Sequence, residues 1–141
     1  MLETISKEIR SKVTNDGNIE LSIKTSEIPT PSADEVIIKV EAAPINPSDL
    51  GLLISFAADI SSINTSGSGD ETKTIIKIHP ALIGAMKPRL DQSMQVGNEG
   101  AGVVIDSGEN VKDLIGKTVG LAGGAMYSQY RCVPAASCLI M

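Results

Sequence analysis

The sequence predicts a mainly β fold, a partly open antiparallel barrel with short helices, in a single domain of 141 residues. Two observations support this fold class. Ile19, Leu21 and Ile23 alternate with polar residues, which is the pattern of a strand with one buried face. In the C-terminal part, short apolar segments are separated by glycine turns, and no long alternation of strands with helices occurs. A Rossmann-type parallel sheet is therefore not predicted.

The N-terminal third predicts three strands in a row. Residues 5–13 and the strand around residues 19–23 flank an Asn-Asp-Gly-Asn turn, so we expect a hairpin. Two prolines in residues 28–32 cannot donate backbone hydrogen bonds and indicate an extended connector. A third strand is predicted over residues 35–43, and it ends at Pro44.

Beyond Pro44 the pattern changes to short helices and loops. Residues 46–49 combine an Asn cap candidate, a proline for the first turn and an acidic residue, so a short helix is predicted there. Residues 61–71 are small and polar and are predicted to form a mobile surface loop. A brief strand at 74–78 and helical turns at 80–90 follow. The remaining predicted strands are 100–105, 117–122, 127–133 and 138–140.

Composition excludes several partners. The chain has 12 Lys and Arg against 17 Asp and Glu, a net charge of −5, and only three aromatic residues, so nucleic acid is not expected. The most apolar run, residues 50–58, is too short to span a membrane, and residues 1–12 do not resemble a signal peptide. Cys132 and Cys138 match no redox or zinc spacing and are read as reduced core thiols, which predicts a cytoplasmic protein.

Few residues are candidates for chemistry. The spacing of residues 97–102, GxxGxG before a β-branched run, differs from the GxGxxG dinucleotide fingerprint and predicts close backbone packing instead. His79 is the only histidine and is expected at the surface, and no metal site is predicted. Asp49 and Glu99 are isolated acids in apolar surroundings. A capping role and a pocket-lining role stay equally open for Asp49.

Four segments, in this order and spacing, carry a family resemblance. They are 28–36 (IPTPSADEV), 42–50 (AAPINPSDL), 96–104 (VGNEGAGVV), and the pair 116–120 (GKTVG) with 127–135 (YSQYRCVPA). Together they resemble the GroES-like N-terminal catalytic domain of the medium-chain dehydrogenases/reductases, in the zinc-independent quinone oxidoreductase branch. The resemblance implies that residues 1–141 form one GroES-like alcohol dehydrogenase N-terminal domain of a longer two-domain enzyme.

The resemblance also implies a chemistry without zinc. Zinc-dependent members have a cysteine at the position of Asn46 and a His-Glu pair at the positions of Asn98 and Glu99. Without a Lewis acid, the implied reaction is direct hydride transfer from NADPH or NADH to a quinone or a conjugated enone. The implied catalytic residues are Asn46, Asp49 and Glu99, and Asn46 would also contact the cofactor.

The family's Rossmann cofactor domain is absent from this chain, so we expect the fragment alone to be inactive. Two alternatives stay open: a non-enzymatic GroES-like barrel that binds a partner or self-associates, and a zinc-type alcohol dehydrogenase. The expected partner is a small-molecule quinone or enone, with neither nucleic acid nor membrane, and a homodimer is also considered.

Overall fold

The fold was obtained as a computed structural model, and the structure describes residues 3–141. Within these residues, ten strands form two five-stranded sheets, and several short 3₁₀ helices lie between the strands, which confirms the predicted mainly β fold. Neither sheet closes on itself within these residues. The strands are β1 (Ile5–Val13), β2 (Asn18–Glu27), β3 (Glu35–Ala42), β4 (Asn64–Ser66), β5 (Lys73–Lys77), β6 (Met94–Gln95), β7 (Gly100–Ser107), β8 (Thr118–Leu121), β9 (Tyr130–Pro134) and β10 (Leu139–Ile140).

The first sheet has the strand order β4-β5-β2-β1-β6 and contains the predicted opening hairpin. Gly17 has a φ of 79°, and the Thr14 amide donates to the Asn18 carbonyl at 2.8 Å, so the Asp-Gly turn forms as predicted. Ile19 is fully buried and lies opposite Ile76 of β5. These two residues belong to a core cluster with Val13, Ile78 and Met86.

The second sheet has the strand order β10-β8-β7-β3-β9. The predicted third strand is confirmed as β3, in which Val36 and Ile38 pack with Val104 of β7 in one core cluster and Ile37 is buried as well. The core on this face is completed by Val119, Leu121, Met126 and Val133. All four C-terminal strands occur where they were predicted, within a few residues at their ends.

The chain divides into two compact units. Among the described residues, the first comprises 3–8, 25–45 and 97–141, and the second comprises 9–24 and 46–96. Each unit contains one of the two core clusters described above. In residues 3–141, no helix is long and apolar enough to cross a bilayer.

Residues 61–71 were predicted to be a mobile surface loop, but they contain regular secondary structure. They contain the 3₁₀ helix Gly69–Glu71 and strand β4, which pairs with β5 in antiparallel register. The Thr65 and Thr74 hydroxyl groups lie 2.8 Å apart across this pair. The three residues of β4 are polar and exposed, so the strand has no apolar face to bury. Its position depends on pairing with β5.

The cysteines also depart from the prediction in part. Both are free thiols, but Cys132 and Cys138 are half-buried rather than part of the core. Cys132 lies on β9, an edge strand with a neighbour on only one side.

Candidate functional site

A tight turn over residues 46–49 holds two of the predicted site residues together. The Asp49 amide donates to the Asn46 carbonyl at 2.9 Å, and the Asp49 carboxylate oxygen Oδ2 accepts from the Asn46 amide at 2.8 Å. Asp49 is 2% exposed. A buried carboxylate is costly without hydrogen bonds, and this one uses the backbone of its own turn. The carboxylate thus stabilises the turn that precedes the helix, and the choice between a capping and a pocket-lining role for Asp49 stays a prediction.

The predicted short helix forms, but it begins later than its cap candidate suggested. It is a 3₁₀ helix, Asp49–Leu52, preceded by Ser48 rather than by Asn46. The Leu50 carbonyl then accepts from the amides of Leu53, Ile54 and Ser55, each at 3.0 Å. Asn46 is half-buried, and its link to Asp49 runs through its main chain. The half-buried side-chain amide of Asn46 therefore lies on a turn that the Asp49 carboxylate stabilises.

Two residues that the sequence analysis did not single out contact this helix. Arg89 Nη1 donates to the Gly51 carbonyl at 3.1 Å, and its Nη2 donates to Ser11 Oγ at 3.2 Å. The Ser11 hydroxyl donates to the Leu52 carbonyl at 2.5 Å. These contacts join positions 38 to 78 residues apart in the chain, and no local sequence pattern reports such a contact.

Glu99 belongs to the first compact unit and lies at the rim of an apolar cavity of about 310 Å³. The side chain of Glu99 is exposed. The apolar lining includes Pro44, Ala101, Leu121, Leu139 and Met141. A cavity of this volume with one carboxylate at its edge suits a small, largely apolar organic molecule.

Glycines permit close packing around this cavity, as their spacing predicted. Gly97 has a φ of 94°, and a side chain there would place Cβ 2.6 Å from Cδ1 of Tyr127. At Gly100 a Cβ would lie 2.7 Å from the Ala42 carbonyl oxygen. The Tyr127 hydroxyl donates to the Pro44 carbonyl at 3.0 Å. The absence of a side chain at Gly97 and Gly100 therefore allows Tyr127 and the Ala42 backbone to pack closely beside the cavity.

The three predicted catalytic residues are placed in two groups. Asn46 and Asp49 share one turn in the second unit, and Glu99 lies in the first unit. His79 is exposed, as predicted, and its Nδ1 accepts from the Ala81 amide at 3.2 Å. Within the described part of the chain, no three His, Cys, Asp or Glu side chains come together as a metal-binding group.

Comparison with known proteins gives a family and a fold. Residues 32–141 match the model of the alcohol dehydrogenase GroES-like domain. No curated protein sequence matches the chain. Among solved structures, proteins provisionally described as NADPH:quinone reductases from Mesorhizobium loti and Bacillus thuringiensis are similar, with TM-scores of 0.56 and 0.62 and identities of 20% and 23%.

A third similar structure is a mutant enoyl thioester reductase from Candida tropicalis, with a TM-score of 0.60 and 19% identity. These comparisons cover 99 to 100% of this chain but 38%, 34% and 34% of the three matched chains, in the order given. The chain therefore spans about a third of the length of these proteins. At such identities the likeness establishes the fold.

Proposed function

Because the chain belongs to the alcohol dehydrogenase GroES-like domain family, we propose that it is the substrate-side domain of an NAD(P)H-dependent oxidoreductase. The proposed acceptors are quinones or conjugated carbonyl compounds. The observation that carries the proposal is the family match over residues 32–141. The names of the similar structures, NADPH:quinone reductase and enoyl thioester reductase, support both acceptor classes.

The residues present fit a zinc-free reaction better than a zinc enzyme. Zinc sites in proteins use thiolate, imidazole and carboxylate ligands, whereas Asn46 and Asn98 offer amides at the two positions discussed above. Glu99 is the one remaining acidic residue of that set. We therefore propose that the acceptor is already electrophilic and needs no metal to polarise it.

In this mechanism the chain's task is to position the acceptor. The nicotinamide cofactor supplies a hydride when it is bound, and the half-buried carboxamide of Asn46 fits a role beside it, because it offers both a donor and an acceptor. Asp49 holds the Asn46 backbone and so limits the movement of that carboxamide. In the first unit, the apolar cavity beside Glu99 offers apolar contact to a small organic molecule.

The test is NADPH and NADH oxidation by the full-length gene product, with a small quinone and a conjugated enone as acceptors. We expect turnover in that protein and none with residues 1–141 alone. Asn46→Ala should lower kcat/KM by about 10²-fold, the effect typical of losing one positioned hydrogen-bond donor. Asn64→Ala is the matched control, since Asn64 is exposed on β4. No oxidation of either cofactor would refute the proposal.

A second candidate function has one observation in its favour. Leu139, Ile140 and Met141 are 73%, 62% and 78% exposed, and an apolar surface of this kind suits a binding or self-association module. Light scattering distinguishes the two proposals. A monomer or homodimer fits the reductase, and a ring of about seven subunits fits the non-enzymatic alternative. Stoichiometric zinc by elemental analysis would instead favour an alcohol dehydrogenase.

A further inference from the structure

Arg89 is a half-buried cation, and the acceptors of its guanidinium are neutral groups. Its guanidinium donates to the Gly51 carbonyl, to the Ser11 hydroxyl and, at 3.7 Å, to the Met86 sulfur. Its Nε is buried and has no acceptor within residues 3–141. Burial lowers the pKa of Arg89, in the direction expected for a desolvated cation. Partial desolvation of the guanidinium costs free energy, and the hydrogen bonds that it donates offset part of that cost.

Those contacts converge on one end of the helix that follows the Asn46 turn. The last carbonyls of a helix have no partner within it, and a cation or a hydroxyl group satisfies them. Arg89 binds the Gly51 carbonyl, and the fully buried Ser11 binds the next carbonyl, that of Leu52. Asp49 braces the opposite end through the Asn46 amide. The segment from residue 46 to residue 52 is therefore held at both ends.

We propose that Arg89 and Ser11 are positioning residues that set the geometry of the 46–52 segment. The part of this proposal that concerns turnover rests on the proposed function. The guanidinium is suited to the role because its planar fork reaches two acceptors at once, whereas a lysine ammonium is a compact point charge that lacks this fork. The hold on the segment should therefore depend on the fork and not only on positive charge.

The first test measures amide hydrogen exchange by NMR. In Arg89→Lys and in Ser11→Ala, the Asp49 and Leu53 amides should exchange about tenfold faster or more, the effect of one lost hydrogen bond of ordinary strength. The Ile76 amide in β5 should keep its rate. The control is Arg10→Lys, because Arg10 Nη1 binds the Ser93 carbonyl, at 3.0 Å, outside this segment.

The outcomes distinguish a local effect on the 46–52 segment from a loss of stability of the whole fold. Faster exchange confined to residues 46–55 supports the proposal. Unchanged exchange in both variants, or equal acceleration across β5, would overturn it. Arg89→Met removes the charge and carries a risk of misfolding, so the two milder variants decide the question.

The second test measures kinetics in the full-length protein. Arg89→Lys should lower kcat about tenfold with little change in KM, because a displaced 46–52 segment misplaces the Asn46 carboxamide, and poor orientation slows the chemical step more than it weakens binding. Arg10→Lys should leave both constants unchanged. If exchange accelerates while kcat stays at the control's value, the hold is confirmed and its link to turnover is refuted. If the wild type oxidises no cofactor, the proposed function fails, and the exchange data still decide the positioning role.

Discussion

At the scale of single residues, Asp49 shows how one buried carboxylate can organise a turn. It is 2% exposed and accepts from the Asn46 amide. Asp59 makes a similar local bond, its carboxylate accepting from the Ser61 amide at 2.9 Å, but it is exposed. The two residues share a chemistry and differ in burial, so they form a matched pair.

We predict that Asp49→Ala lowers the free energy of unfolding by about 1–3 kcal/mol, the cost of leaving a buried partner unsatisfied. Asp59→Ala should cost clearly less than Asp49→Ala, since water can replace an exposed partner. Asp49→Asn should fall between, because its side-chain oxygen can still accept. Urea unfolding of the three variants measures this. Equal losses for Asp49→Ala and Asp59→Ala would show that burial is not what matters.

Cys132 is a residue whose ionisation is controlled by its surroundings. Burial, assisted by the nearby Glu35 carboxylate, raises the pKa of the Cys132 thiol from 9.0 to about 11. The thiol donates to Glu35 Oε2 at 3.7 Å. That same oxygen accepts from the Ser32 amide at 3.0 Å and from its hydroxyl at 2.6 Å, and these bonds lower the pKa of Glu35. The carboxylate therefore stays ionised beside the thiol.

This pKa predicts a loss of stability at alkaline pH. Between pH 9 and about 11 the folded chain keeps the Cys132 proton and the unfolded chain releases it, so stability falls as the pH rises through this window. Cys132→Ala should show a shallower fall over the same range, by urea unfolding at pH 8, 9, 10 and 11. In a Glu35→Gln background, Cys132→Ala should change the pH dependence of stability less than it does in the wild type, because the nearby carboxylate no longer raises the pKa of the thiol. Parallel profiles for wild type and Cys132→Ala would contradict the assignment.

At the scale of secondary-structure elements, the contact of β7 with β3 depends on the absence of one side chain. Gly102 pairs with Val40 of β3, next to a register shift in that strand. A Cβ at Gly102 would lie 2.0 Å from the Lys39 carbonyl oxygen and 2.8 Å from its carbon. Both are backbone atoms, so a rotamer change cannot relieve the clash, and the strands would have to separate.

We predict that Gly102→Ala destabilises the fold by about 1–3 kcal/mol or more, because overpacking is typically of this size and the clash is with backbone. Gly84→Ala is the control, because a Cβ there has no atom within 4 Å and the backbone φ is ordinary. That variant should change stability by less than about 0.5 kcal/mol. Thermal and urea unfolding would measure both. A Gly102→Ala variant as stable as Gly84→Ala would show that β7 can shift without cost.

A secondary-structure element is predictable when the residues that specify it lie within the element or its turn. The β1–β2 hairpin is encoded locally, in the alternation of apolar residues and an Asp-Gly turn. The sequence does not predict β4 and β6, because three polar residues and a Met-Gln pair carry no period. β4 is defined by pairing with β5, the next strand in the chain, and β6 by pairing with the distant β1. Such pairing overrides weak local preference.

The candidate site also contains some contacts that are local in sequence and others that are not. The bond between Asn46 and Asp49 spans three residues and follows from turn chemistry, although the sequence suggested the wrong residue as cap. The contact between Arg89 and Ser11 spans 78 residues, and only the folded chain brings the two together. Glu99 was singled out as an isolated acid, but the apolar cavity beside it is formed by several strands and has no linear signature.

At the scale of the whole molecule, the two sheets have protected centres and exposed edges. In the second sheet, β7 pairs with β8 on one side and β3 on the other, and its Val104 is 1% exposed. The edge strand β10 has two residues, both exposed. In the first sheet, β2 lies between β5 and β1, whereas β4 is an exposed edge. Local opening should therefore begin at the edges, where few apolar contacts are lost.

We predict that native-state hydrogen exchange follows this order within each sheet. The Val104 amide, which donates to the Lys117 carbonyl at 3.0 Å, should exchange only through global unfolding, with a free energy equal to that from urea denaturation. Amides of β4 and β10 should exchange through local opening, at free energies several kcal/mol lower and with little dependence on denaturant. NMR-detected exchange at increasing low urea concentrations measures both classes. If β4 exchanged as slowly as β2, its pairing with β5 would contribute to the global fold, and the strand could not be a peripheral addition to the sheet.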